Sequence, residues 1–447
     1  MAPPQREHRP ERAPEEWRRA FAWIERELGG SVVRAERQPR WRPAWLLNLE
    51  RDGETLPLYF RGARVEVDDG AAALGYEMRI FEVLAAHDIP VPRIYGLCPD
   101  PSGIVMERCA GRANLASARD DAEREAVVDH YIEILARVHR IDVAAFEAVG
   151  LHRPKDSEEL ALADFDSWEQ RYRAAKQRPE PAIEFLVRWV RRNLPRASRP
   201  VAFICADSGQ FLFEAGRVTT LLDLEIACLG DPVADLGGLR SRDLSEPLGD
   251  LSRAIRCYEA QSGEAVDREV LDFHTVRFAL VTPLAVAGLV AAEPPGIDLV
   301  QYLGWYLVWT RSALEVVANR LGVELAPSNA SVDTRSSDAP ARSESDGGGF
   351  ARYRESAAAR LATYRERQQA MGPGLDAEDL DDVSRFLGRG FTSCADADRV
   401  LEEWVLAAGP EREVECVALL HRRILRREAI LEPVMQELAG ARMQRIR

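Results

Sequence analysis

One stretch constrains this chain more than any other: Phe203–Leu239, FICADSGQFLFEAGRVTTLLDLEIACLGDPVADLGGL. Short apolar runs alternate there with turn-forming residues, which predicts strand, tight turn, strand, hairpin turn, strand and loop. An acid or amide stands at each exit. Asp207 and Gln210 fall in the first turn, Asp223 and Glu225 follow the apolar run Val218–Leu222, and Asp231 and Asp235 lie just beyond. Oxygen ligands gathered at strand ends suit a hard cation and the phosphates of a nucleotide. Any one of these acids has an ordinary alternative as a turn or cap residue. It is the ordered series that argues for chemistry.

The chain around this segment divides by pattern. Residues 1–14 are polar and proline-rich and are expected to be disordered. Glu15–Leu28 carries Trp17, Phe21, Ile24 and Leu28 at helical spacing and stops at Gly29–Gly30. Trp45–Leu49 and Leu56–Phe60 alternate as strands about the turn Arg51–Asp52–Gly53, Leu74–Ala86 reads as a helix, and Gly103–Arg108 as a strand. Helical periodicity then dominates, in Glu123–Arg140, in two helices within Phe165–Arg192, and in Leu248–Gln261, Arg268–Val290 and Leu299–Leu321. Residues 326–349 are small, polar and aperiodic, a linker composition. Beyond it, 350–447 predicts an all-helical module with helices at Tyr353–Gln369, Ala377–Leu387, Ala395–Leu406 and from Glu411. Its arginines Arg422, Arg423, Arg426 and Arg427 are expected on a solvated face, and the module could dock a protein partner.

Composition narrows the function. With 447 residues, 46% hydrophobic and 30% charged, the chain has the make-up of a globular protein of two or three domains. A net charge of −14 argues against nonspecific nucleic-acid binding. The seven cysteines form no C-x-x-C pair, so neither a zinc site nor a disulfide framework is expected. The most apolar stretch, Phe278–Ala292, predicts a buried helix rather than a membrane span, and a cytoplasmic setting is expected. Lys155 and Lys176 are the only lysines, so the first 150 residues contain none.

The motifs in Phe203–Leu239 resemble those of the aminoglycoside phosphotransferase and choline kinase-like family. Gly216–Arg217–Val218–Thr219, Leu222–Asp223–Leu224–Glu225, and Gly230–Asp231–Pro232 through Asp235–Leu236 follow its pattern closely. The first half departs from it. Cys205–Ala206–Asp207 stands where that family has His-Gly-Asp, and Gln210 takes the asparagine position only three residues after Asp207. With a shortened loop Asp207 is the catalytic aspartate; aligned without a gap from the following strand, Cys205 takes that position and no base remains. The resemblance implies an α+β, bilobal protein-kinase-like fold: a small β-rich N-lobe at 15–107 and a large, mainly helical C-lobe at 108–325 that holds the catalytic segment 203–239.

The resemblance also assigns roles. Phosphoryl transfer needs cations on the phosphates, a group that orients the nucleophile and a clamp on the nucleotide. Asp223, with Glu225 and the Gln210 carbonyl, would bind Mg²⁺. Glu225 lies two residues from Asp223, on the same side of an extended chain. Asp207 would be the base. In the N-lobe Glu77 fits the helix glutamate, and Arg61 would replace the missing lysine on the phosphates. Gly29 and Gly30 could cover the phosphates, while Met106 and Arg108 would meet adenine through the backbone. Two functions follow: ATP- or GTP-dependent, Mg²⁺-dependent phosphoryl transfer to a hydroxyl of a small molecule, aminoglycoside- or amino-alcohol-like; or a non-catalytic kinase-like protein that binds a nucleotide or metabolite as a regulator.

Overall fold

A computed structural model describes residues 9–40, 42–63, 70–195, 199–325 and 349–446. Of the disorder expected at 1–14 and the linker expected at 326–349, residues 1–8 and 326–348 lie outside the described residues; within them, Pro10–Arg12 form a 3-10 helical turn and Gly349 begins a helix, contrary to expectation. Among the described residues the chain forms two compact units: 9–152 with 210–227 and 349–356, and 153–209 with 228–325 and 357–446. The first unit therefore continues well past the border expected at residue 107, and it takes back the hairpin that the sequence places in the helical lobe.

The first unit is built on a sheet. Helix α1 (Glu15–Leu28) leads into β1 (Ser31–Arg37), β2 (Ala44–Arg51) and β3 (Glu54–Gly62), then α2 (Gly70–Ala86), β4 (Ile94–Pro99) and β5 (Ser102–Glu107). The five strands pair antiparallel in the order β1-β2-β3-β5-β4. Strand alternation sends Trp45, Leu47 and Leu49 of β2 to the same face as Leu58 and Phe60 of β3, where Phe21 and Ile24 of α1 cover them. Each such side chain, fully buried, contributes about 1.5–3 kcal/mol. β5 lies so close over Phe60 that a Cβ at Gly103 would sit 2.2 Å from its ring, so this strand position needs glycine. β1 was not legible as a strand, because Ser31–Arg37 alternates only weakly. Helix α3 (Asp121–Val138) and the hairpin of strands Phe211–Glu214 and Arg217–Leu221 complete the unit.

The second unit is helical around one continuous core. Phe165, Tyr172, Trp189, Val276 and Leu314 share it with Val383, Leu401, Val417, Leu420 and Leu431. The C-terminal helices expected for 350–447 are present, and they pack into this core. Arg311, almost wholly buried, joins the two segments through Glu428 at 2.8 Å and the Ala441 carbonyl at 2.6 Å. The expected solvated arginine face holds for Arg427, which is exposed, and in part for Arg422, but Arg423 is 5% exposed and pairs with Asp379 at 2.6 Å and with Asp398. One helix runs from Gly349 to Leu387 through Pro373, where two were expected. Leu361, Tyr364 and Leu380 pack on the same core on both sides of the proline, which offsets its missing N–H bond. Helix Arg268–Ala292 is long and apolar enough to cross a membrane, yet two-thirds of its apolar stretch is buried, with His274 and Arg277 almost wholly enclosed.

Candidate active site

The site of the first unit is assembled by the hairpin. The Leu222 N–H donates to the Gln210 carbonyl at 3.0 Å and the Leu221 N–H to the Pro90 carbonyl at 2.8 Å, which ties the hairpin's end in place. The chain then turns: Asp223 has φ +57, the left-handed region that aspartate tolerates better than most residues. The extended geometry expected for Asp223–Glu225 is therefore absent. Their two carboxylates are gathered instead by shared cations.

Arg61, at the end of β3, is the hub. Its Nε donates to Glu77 Oε2 at 2.9 Å, and its Nη2 bonds Asp223 Oδ1 and lies 3.4 Å from Glu225 Oε2. Glu77, fully buried on α2, uses its other oxygen to accept the Leu224 N–H at 3.0 Å. One carboxylate thus positions both the cation and the main chain between the two acids. Gln210 Nε2 donates to Asp223 Oδ2 at 3.1 Å. Burial works against the charge on Arg61, but Asp223, Glu77 and Glu225 together outweigh it and hold its pKa above the ordinary value. Burial also pushes the Glu77 carboxyl up, against the opposing pull of Arg61, with Asp223 and Glu225 adding to the rise.

Sequence reasoning missed Arg42. It lies between β1 and β2, where Arg-Trp-Arg-Pro between two strands was the available signal. Its Nε donates to the Gly62 carbonyl at 3.0 Å, and its Nη2 lies 2.7 Å from Glu225 Oε2. Gly29 and Gly30 are not brought here. Gly29 caps α1, and a Cβ at Gly30 would meet the Glu50 carbonyl, at the far end of β2 from Ala44, which faces Arg61. Six strand positions separate Glu50 from Ala44, roughly 20 Å. Met106 pairs with Tyr59 and Ile94 inside the sheet, two places from Ile104, which faces Arg61. The Arg108 N–H is spent on the Pro57 carbonyl at 3.2 Å, so a backbone contact from it to a ligand would require that bond to open.

Asp207 belongs to the second unit. Ala206 takes φ +61, and the Cys205 and Ala206 N–H groups donate to the two oxygens of buried Asp235 at 2.9 and 2.8 Å. Asp235 thus anchors the loop, as its place after Gly230–Asp231–Pro232 suggests. A Cβ at Gly238 would lie 2.3 Å from the Ala206 carbonyl, so the glycine lets its helix press against this turn. The Asp207 carboxylate is 3.5 Å from Arg242. Cys205 is buried, and burial, with Asp235 beside it, pushes its thiol well above the ordinary range, which suits an inert side chain.

Among the described residues, no group of three or more His, Cys, Asp or Glu is placed to hold a metal unaided. Asp223, Glu225 and Gln210 carry oxygens of the kind Mg²⁺ takes together with substrate phosphates, and the two carboxylates are engaged here by Arg61 and Arg42.

An antiparallel five-stranded sheet with a helix glutamate paired to a β3 cation, beside an aspartate after a β-hairpin, defines a protein-kinase-like fold. Residues 45–273, just over half of the chain, match the phosphotransferase enzyme family (APH), and the chain belongs to that family. Among solved structures, a Ralstonia eutropha protein assigned to the aminoglycoside phosphotransferases matches with a TM-score of 0.53 at 19% identity, covering 69% of this chain and 99% of that one. A thermostable mutant of aminoglycoside phosphotransferase APH(4)-Ia in complex with AMP-PNP and hygromycin B matches at 0.50 and 13% identity, covering 68% and 99%. Acyl-CoA dehydrogenase family member 10 of Mus musculus is 31% identical over 177 residues, 37% of this chain and 16% of that protein. Acyl-CoA dehydrogenase family member 11 of Rattus norvegicus is 28% identical over 179 residues, 36% and 22%. The chain spans less than a quarter of the length of these curated relatives.

Proposed function

We propose that this chain uses ATP to phosphorylate a hydroxyl of a small molecule. The observation that carries the reading is Glu77, whose two oxygens hold Arg61 and the Leu224 N–H together. That arrangement sets a fixed cation and the Asp223 and Glu225 carboxylates in one place, the pairing that phosphate and its counter-ion need. Arg61 would contact phosphate oxygens through its planar fork, in the way lysine does elsewhere but with two donors. Asp223, Glu225 and Gln210 would hold Mg²⁺, which screens the charge that develops on the transferred group. Asp207 would orient the acceptor hydroxyl and take its proton as the oxygen bonds phosphorus and ADP departs. An amine-bearing acceptor, of the aminoglycoside or amino-alcohol kind, is the class that family membership and the charge of −14 favour.

A screen of amino-sugars, amino-alcohols and sugars with [γ-³²P]ATP and Mg²⁺ tests the reading. Labelled product that disappears in Asp207→Asn supports it. The second reading, a nucleotide-binding protein without catalysis, draws on Arg242 beside Asp207 and on the short loop that holds Cys205 and Ala206. Nucleotide binding with no product from any acceptor would favour that reading.

A further inference from the structure

The acids proposed to take the metal are already occupied by cations from the same unit. Arg42 Nη2 lies 2.7 Å from Glu225 Oε2 and its Nη1 4.0 Å from Asp223 Oδ1, while Arg61 bonds Asp223 and lies 3.4 Å from Glu225. Arg42 is 9% exposed and Arg61 6%. Two guanidinium groups therefore face three carboxylates, those of Glu77, Asp223 and Glu225, with little water to screen them.

We propose that Arg42 and Arg61 form a clasp on Asp223 and Glu225 that makes nucleotide and divalent cation bind together and poorly apart. The proposal rests on the nucleotide reading above. A cation arriving alone would draw the Asp223 and Glu225 carboxylates away from two buried guanidiniums, leaving Arg61 with Glu77 alone and Arg42 without its Glu225 contact, a costly state. A nucleotide arriving alone would bring several negative charges against the same three carboxylates. When both arrive, the carboxylates turn to the cation and the guanidiniums to the phosphates, so each group again has a partner of opposite charge. The absence of a three-ligand cluster among the described residues agrees with a cation site that the nucleotide completes.

The two arginines have different parts in this exchange. Arg61 is tied by Nε to Glu77, which is itself fixed to the Leu224 backbone, so it keeps its place. Arg42 is tied by Nε to a main-chain carbonyl, that of Gly62, and its Nη atoms do the re-pairing. Arg42 is thus a phosphate-binding residue that also keeps bare metal out.

Isothermal titration of the full chain with Mn²⁺ alone, with AMP-PNP in EDTA, and with AMP-PNP in the presence of Mn²⁺ tests this. The expected result is that each partner tightens the other by the same factor, about 10-fold or more. Arg42→Gln should bind Mn²⁺ alone more tightly, bind AMP-PNP with Mn²⁺ more weakly, and lose most of the coupling. Arg42→Lys keeps the charge but not the fork, and should fall between; it decides the matter if Arg42→Gln does not fold. AMP-PNP binding of equal strength with and without Mn²⁺ overturns the clasp and leaves the nucleotide reading standing. Coupling unchanged in a folded Arg42 variant also overturns it. No AMP-PNP binding under any condition overturns both.

Discussion

Glu77 Oε1 accepts the Leu224 backbone N–H at 3.0 Å while its Oε2 accepts Arg61 Nε at 2.9 Å, so one buried carboxylate sets the position of both a cation and a turn. Removing it would leave the buried Arg61 Nε and the Leu224 N–H without their acceptor. Glu77→Ala is expected to cost about 3–5 kcal/mol, the range for breaking a buried ion pair from one side. Glu77→Gln keeps an acceptor and should cost less. Urea unfolding followed by tryptophan fluorescence measures both, and an alanine variant as stable as the parent would remove Glu77 from this role.

Asp223 is partly exposed, with 22% of its side chain accessible, and an asparagine keeps its shape and tolerates its positive φ. Asp223→Asn should therefore fold normally. If the proposed reaction occurs, its kcat should fall about 100-fold or more, as expected for loss of a group that stabilises transferred charge. An unchanged kcat would show that the metal is held elsewhere.

Asp235 holds the turn before Asp207 by accepting two N–H groups in a buried setting. Asp235→Ala leaves both unpaired, at about 1–3 kcal/mol each. Amide hydrogen exchange at Cys205 and Ala206 should accelerate strongly, and exchange as slow as in the parent would contradict the assignment.

Glu315 introduces an acid dependence in the helical unit. Burial opposes its charge, but hydrogen bonds and charge from His421 and Arg311 outweigh it and lower its pKa from 4.5 to about 2. A group held below its unfolded value stabilises the fold above that value and loses the contribution as pH falls through the folded one. Its contribution, at most about 3 kcal/mol, should thus fade between pH ~4.5 and ~2. Glu315→Gln should be less stable at pH 6 and show a flatter decline in that window. A parallel decline in parent and variant would argue against the linkage.

Chain ending at residue 325 should not yield a stable protein. It would expose the core surface that Leu401, Val417, Leu420 and Leu431 cover and would leave Arg311 without Glu428. A soluble 1–325 product with a cooperative thermal transition would show that the rest of the chain folds without these helices.

Much of this was legible because it is local. Alternation in Trp45–Leu49 and Leu56–Phe60 reports a strand with one buried face, and the 3.6-residue spacing of Phe21 and Ile24 reports a helix lying on it. Leu222–Asp223–Leu224–Glu225 could be picked out because an acid following an apolar run is visible in a few residues. Arg42 could not, since nothing in Arg-Trp-Arg-Pro says that its partner is Glu225. Nor could apolar spacing in the C-terminal helices say whether they pack on one another or on Trp189 and Val276.

The order of residues by itself determined the kind of fold, the strand ends that carry acids, and the departures at Cys205, Ala206 and Gln210. Only tertiary structure decided which charges meet. Arg61 and Asp223 are 162 positions apart, and an ion pair depends on distance through space and on exclusion of water, neither of which is written in sequence spacing.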